Sequence, residues 1–187
     1  MTELLAFAEL GFRHIADWAA LDHLLFLLAL TAPYRAADWR KLVIIASAFT
    51  VGHSITLALA VSKTLELPPA VVEFLIPVTI AATAIRNLVP HQGTGLRLEP
   101  WFAGGFGLIH GAGFANYLTS LFEGPIAVPL LGFNLGIETG QILILAAFIG
   151  AFEVGARILG PRQPQRVVVS VGAGLWALLL AFERLPW

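Results

Sequence analysis

Four stretches of this sequence place ionisable side chains inside otherwise apolar runs. Asp22 and His23 stand in Ala20-Leu-Asp-His-Leu-Leu-Phe26, and His53 in Phe49-Thr-Val-Gly-His-Ser-Ile-Thr56. His110 stands in Phe106-Gly-Leu-Ile-His-Gly-Ala-Gly-Phe114, and Glu138 in Phe133-Asn-Leu-Gly-Ile-Glu-Thr-Gly-Gln141. A charged group at the middle of a bilayer costs about 2.5–3.5 kcal/mol on insertion scales, so such residues persist where they pair with one another or serve a function. Three imidazoles with one or two carboxylates form a donor set suited to Ni²⁺, Co²⁺, Zn²⁺ or Fe²⁺. The chain has no cysteine and one methionine, which removes disulfide frameworks, iron–sulfur clusters and thiolate-rich copper(I) sites. The same inventory also suits a proton relay of His and carboxylate groups.

Depth and facing both bring these groups together. With a rise of 1.5 Å per residue, His53 and His110 lie about 18 and 15 Å from one end of their runs; Glu138 lies about 15 Å, and Asp22–His23 about 6 Å, from the opposite end. Asn134, Glu138 and Gln141 share one helical face; Thr50, His53 and Ser54 share another. Neighbouring residues on a helix point about 100° apart, so at most one of Asp22 and His23 is a direct ligand. The candidate metal ligands are therefore His23, His53, His110, Glu138 and Asp22. His14, Asn134, Gln141, Ser54 and Glu73 are candidates for guiding an ion in or supporting its ligands. For His14 a solvated interfacial imidazole is an equal alternative, and for Glu73 a snorkelling charge. Glu153 is expected to pair with Arg157, and His91 to be a solvated loop residue.

The elements that must hold these groups are transmembrane helices. Of 187 residues, 58% are apolar and 12% charged, whereas soluble domains carry about 25% charged residues. The reading is an all-α integral membrane protein, a single domain of about six transmembrane helices with an N-terminal interfacial helix over 1–17. The spans run at about 18–34, 39–62, 67–88, 100–122, 125–156 and 166–182, from apolar runs and Pro/Gly punctuation. Pro68-Pro69 suits a helix start, where no N–H is needed. The odd-numbered connections hold Arg35, Arg40, Lys41, Arg86, Arg97, Arg157, Arg162 and Arg166; the others and the termini hold Arg13, Lys63 and Arg184. Basic residues favour the cytoplasmic side, so both termini are expected outside a bacterial-type inner membrane. Trp18, Trp39, Trp101 and Trp187 sit near span ends. Gly132, Gly136 and Gly140, and Gly107 and Gly111, recur four apart, as close helix packing requires. The N-terminus shows no secretory signal pattern and is read as part of the mature protein. No basic tail or stripe suggests nucleic acid. The expected partners are lipid and a metal ion, and a homo-oligomer is left open.

These motifs, in this order, resemble the HupE/UreJ family of membrane proteins. The resemblance rests on His14 and Asp22-His23-Leu-Leu-Phe-Leu-Leu, then Phe49-Thr-x-Gly-His-Ser-x-Thr56, Phe106-Gly-x-x-His-Gly-x-Gly-Phe114 and Phe133-Asn-x-Gly-x-Glu-x-Gly-Gln141, spanning about residues 11 to 145. Two features depart from the family pattern: a longer, more polar stretch between His14 and Asp22, and the lack of the cleaved signal peptide that many relatives carry. The resemblance implies a nickel or cobalt permease. The function expected is thus a membrane permease for divalent transition-metal ions (Ni²⁺ or Co²⁺) using an intramembrane His/carboxylate site. The alternative is an intramembrane metal-dependent (zinc) hydrolase using the same cluster, since Zn²⁺ with three protein ligands and an open position activates water.

Overall fold

The computed structural model describes residues 2–18, 21–89, 99–120, 125–158 and 160–186, without the side chains of residues 116, 119 and 162. Among these residues the chain is all-α: α1 (Glu3–Ile15), α2 (Leu21–Thr31), α3 (Trp39–Val61), α4 (Pro69–Leu88), α5 (Glu99–Ser120), α6 (Ala127–Ile158) and α7 (Arg162–Glu183). Helices α3 to α7 fall within a few residues of the expected spans, and Pro69 opens α4 as its neighbouring prolines predict. His91 and Trp187 lie outside the described residues.

Among the described residues, four helical segments are long and apolar enough to cross a membrane: Ala36–Val61, Pro69–Leu88, Ala127–Ile158 and Gln163–Glu183. The count differs from the six expected, since neither α2 nor α5 is among the four. The first expected span yields only the 11 residues of α2, which rise about 16 Å, roughly half of a 30 Å hydrocarbon core. The perimeter is apolar: Ile44, Val51 and Ile55 on α3, Leu131 and Leu135 on α6, and Leu175 and Leu179 on α7 are all exposed. An apolar surface this continuous is foreign to a soluble monomer. Trp18, Trp39 and Trp101 are exposed as well.

The helices associate mainly as three pairs, α3 with α5, α1 with α6 and α4 with α7, and α2 touches α4, α6 and α7. Glycine permits the closest approaches. A Cβ on Gly107 or Gly111 of α5 would overlap the carbonyl oxygens of Phe49 or His53 on α3. A Cβ on Gly136 of α6 would likewise overlap the carbonyl oxygen of Ala8 on α1. Both pairs are parallel, since Gly104 meets Ala48 while Gly111 meets His53, and Gly132 meets Leu4 while Gly140 meets Ile15. The segment expected to lie in the interface therefore packs lengthwise along α6.

Helices α4 and α7 are antiparallel, with Ala84 against Gly174 and Asn87 bonded to Ser170 at 3.2 Å. Asp22, near the start of α2, pairs with Arg184 just past the end of α7, and Ala29 accepts from Asn87 near the end of α4 at 2.7 Å. Helix α2 therefore runs with α4. It also runs with α6, whose Gly155 near its end meets Gln165 near the start of α7, and so with α1. Helices α1 and α2 follow one another in the same sense.

Candidate metal centre

His14, near the end of α1, and His23, near the start of α2, come together with ring centroids 4.6 Å apart. His14 is the penultimate residue of α1, and His23 stands in the first turn of α2. His53 arrives from α3, 6.0 Å from His14 between centroids. Each of the three offers a ring nitrogen, and these nitrogens all lie within 4.8 Å of one another. His110 arrives from α5 with its ring 5.3 Å from that of His23. Four imidazoles from four helices thus converge. The glycines of α5 are what let His53 and His110 meet, because Gly107 and Gly111 bring the α5 backbone onto α3 at Phe49 and His53.

The rings are enclosed in aromatic side chains. Phe114 lies 3.9 Å from His14, Phe49 5.1 Å and Phe26 5.4 Å from His110, and Phe133 stacks on His53 at 6.2 Å. His53, His110 and His23 are 0%, 1% and 6% exposed. Within this apolar shell, Nε2 of His14, both nitrogens of His23, both of His53 and Nδ1 of His110 are buried without a hydrogen-bond partner. An unsatisfied buried polar atom costs about 1–3 kcal/mol, so six such atoms together cost on the order of 10 kcal/mol. That is comparable to the whole stability of a domain. Each neutral ring carries one lone pair and one N–H, so at most four of the six atoms, one per ring, are lone pairs available to a cation.

His110 is oriented by α4. The Thr79 hydroxyl donates to the Ile76 carbonyl at 2.7 Å and lies 2.9 Å from His110 Nε2. A hydroxyl has one hydrogen, so Thr79 accepts from Nε2–H. The other ring nitrogen, Nδ1, then carries the lone pair and stands unpartnered. A ring N–H anchored in this way fixes the tautomer of a metal-binding histidine.

The chain matches the HupE / UreJ protein family over residues 1–183. It belongs to that family. Comparison with curated proteins gave no match, and comparison with solved structures gave none either.

In this HupE/UreJ family member the expected site residues divide. His23, His53 and His110 converge, and His14 joins them as a direct member of the cluster. Asp22 accepts a hydrogen bond from Arg184 at 3.0 Å through Oδ2, and its Oδ1 is buried without a partner. Glu138 accepts from the Ser47 hydroxyl. Ser47 lies six residues before His53, about 9 Å along α3. Between the two levels, Thr50 donates to Gln141 at 2.9 Å. Ser54 is turned onto the Thr50 carbonyl at 2.6 Å. Asn134 Oδ1 is buried without a partner, and Glu73 is exposed. Glu153 accepts from the backbone N–H of Ala36 at 3.3 Å.

Thr79 and the phenylalanine shell were not singled out from the sequence. Phe26, Phe49, Phe114 and Phe133 each stand at an end of one of the four motifs, and that regularity was the available signal.

Proposed function

We propose that this protein is a multi-pass permease of a bacterial-type inner membrane, with both termini outside, that carries nickel or cobalt ions. The observation that carries the reading is the group of unpartnered imidazole nitrogens of His14, His23 and His53, all within 4.8 Å of one another, with His110 beside His23. Neutral imidazole suits divalent ions late in the first transition row. His14, His23, His53 and His110 hold the ion. The free oxygen of Asp22 offsets part of its charge, and the Asn134 carbonyl is available to an imidazole N–H.

Helices α1 and α2 serve together as one interrupted crossing, and α5, of 22 residues, as another, which with the four long apolar helices makes six. Broken helices that meet a site at mid-membrane are a common device of transporters, because the break frees groups for the substrate. From the cluster, Thr50–Gln141 and then Ser47–Glu138 continue as polar steps toward the end of α3 that bears Arg40 and Lys41. This supports transport over enclosed catalysis, since the ion has a polar path onward. Glu138 is then a station on the cytoplasmic side of the imidazoles. Release follows protonation of the imidazoles or a helix movement, because only neutral imidazole binds a metal.

The test is uptake by reconstituted vesicles. Ni²⁺ or Co²⁺ is expected to accumulate, and faster with an inside-negative potential, since moving two charges inward is worth about 4.6 kcal/mol per 100 mV. Metal that binds but never crosses at any potential or pH contradicts the permease reading.

A further inference from the structure

A cavity of about 390 Å³ opens at the far end of the α3–α5 pair. Its wall on α3 is Thr56 and Ala60, Lys63 lies just past the end of that helix, and Ala112 and Ala115 face it from α5. Glu66, in the connection to α4, completes its rim. Thr56 and Ala60 follow His53 by three and seven residues and lie on the same face of α3. The cavity therefore runs from the end of α3 to a point one helical turn, about 4.5 Å, from His53. On α5, Ala112 stands two residues past His110, beside Gly111, whose backbone lies against His53. The walls nearest the cluster are alanine and threonine, and Leu65 and Leu67 line the cavity from the connection to α4.

The rim is a built structure. Lys63 adopts a left-handed backbone conformation, with φ of 57°, which is unusual for a residue with a long side chain. The conformation lets the chain reverse at the end of α3: Lys63 N–H bonds to Ala60 O at 2.9 Å, and Thr64 and Leu65 N–H both bond to Leu59 O. This tight reversal places the Lys63 and Glu66 charges at one mouth and keeps the α3 terminus from folding over it. Cation and carboxylate together leave the mouth near neutral, so the cavity admits a divalent ion with its water without trapping it there.

We infer that this cavity is the outer vestibule through which a hydrated divalent cation reaches the four histidines. The inference rests on the permease reading above. The ion arrives with its water shell, sheds water along Thr56 and exchanges it for imidazole one turn further in.

The absence of native cysteine makes the test direct. Single-cysteine variants Ala60→Cys and Ala112→Cys, with Ile44→Cys on the exposed outer face of α3 as the control, are reconstituted in lipid. They are treated with a charged methanethiosulfonate, which reacts with the thiolate and so needs water at the sulfur. Ala60→Cys and Ala112→Cys are expected to react and Ile44→Cys to resist. Ni²⁺ loading is then followed in time, before and after labelling. The attached group at Ala112→Cys is expected to slow loading at least about tenfold, as obstruction of a binding route does, with the final metal content unchanged. Failure of both vestibule cysteines to react in protein that still loads Ni²⁺ overturns the vestibule alone. Labelling that leaves the loading rate unchanged overturns it as a route. Unlabelled protein that never takes up Ni²⁺ overturns the permease reading and this inference together.

Discussion

Two buried polar regions of the bundle are built on opposite principles. Near the basic end, Asn87 donates to the Ala29 carbonyl and to Ser170, tying α4 to α2 and α7 with its donors satisfied. At the cluster, three buried histidines and the half-buried His14 leave six ring nitrogens without partners. The first packs beside the small Ala84 and Gly174, and the second lies within phenylalanine rings. The first meets its donors within the protein, and the second leaves lone pairs and N–H groups facing one another without partners. In a membrane, where hydrogen bonds between helices contribute on average about 0.6 kcal/mol, a polar residue that is satisfied speaks of packing. One held apart from every partner speaks of a ligand.

The sharpest way to break this comparison is to remove one member from each region. His53→Ala is expected to abolish retention of Ni²⁺ or Co²⁺, measured as metal content after desalting, while the protein stays folded. Asn87→Leu is expected to retain full metal and to lose about 1 kcal/mol of stability in a detergent unfolding titration. If Asn87→Leu loses metal as His53→Ala does, the two regions are not functionally separate.

A smaller effect is expected at Thr79. Thr79→Val keeps the shape but removes the acceptor that fixes His110 with Nδ1 free. Loss of a group that orients a ligand typically lowers metal affinity 10–100-fold, and about tenfold is expected here from competition titration. Thr79→Ser, which keeps the hydroxyl, should restore most of it. An unchanged affinity in Thr79→Val would mean that His110 does not bind through Nδ1.

Much of this organisation was legible in the residues. Helices α3 to α7 were bounded by charge and proline, and the glycine rows marked the close contacts of α5 with α3 and of α6 with α1. His23, His53 and His110 stood out because an ionisable residue in an apolar run has few innocent explanations. The rest depended on three-dimensional facts that spacing does not carry. Helix α1 has an amphipathic, charge-bearing sequence, including the exposed Glu9–Arg13 pair, and so reads as an interfacial helix. Its other face, with Ala8, Gly11 and Ile15, is shaped to fit α6, and that fit brings His14 into the cluster. Glu138 was expected beside the histidines from its depth along its helix. But α6 has 32 residues, so distance from its end does not fix level within the bundle, and its carboxylate meets Ser47. Thr79 carries no signal of its own, because a threonine in an apolar helix is ordinary until a histidine nitrogen is found 2.9 Å away.

The central claim is that imidazole nitrogens from four helices hold the transported ion. X-ray absorption at the metal edge of Ni²⁺- or Co²⁺-loaded protein in lipid tests it most directly, because imidazole rings leave a characteristic multiple-scattering pattern. The account predicts a shell dominated by imidazole, reduced by one ring in a His14→Ala variant that still holds some metal. A shell of oxygen alone, from water or carboxylate, in fully loaded wild-type protein would contradict it.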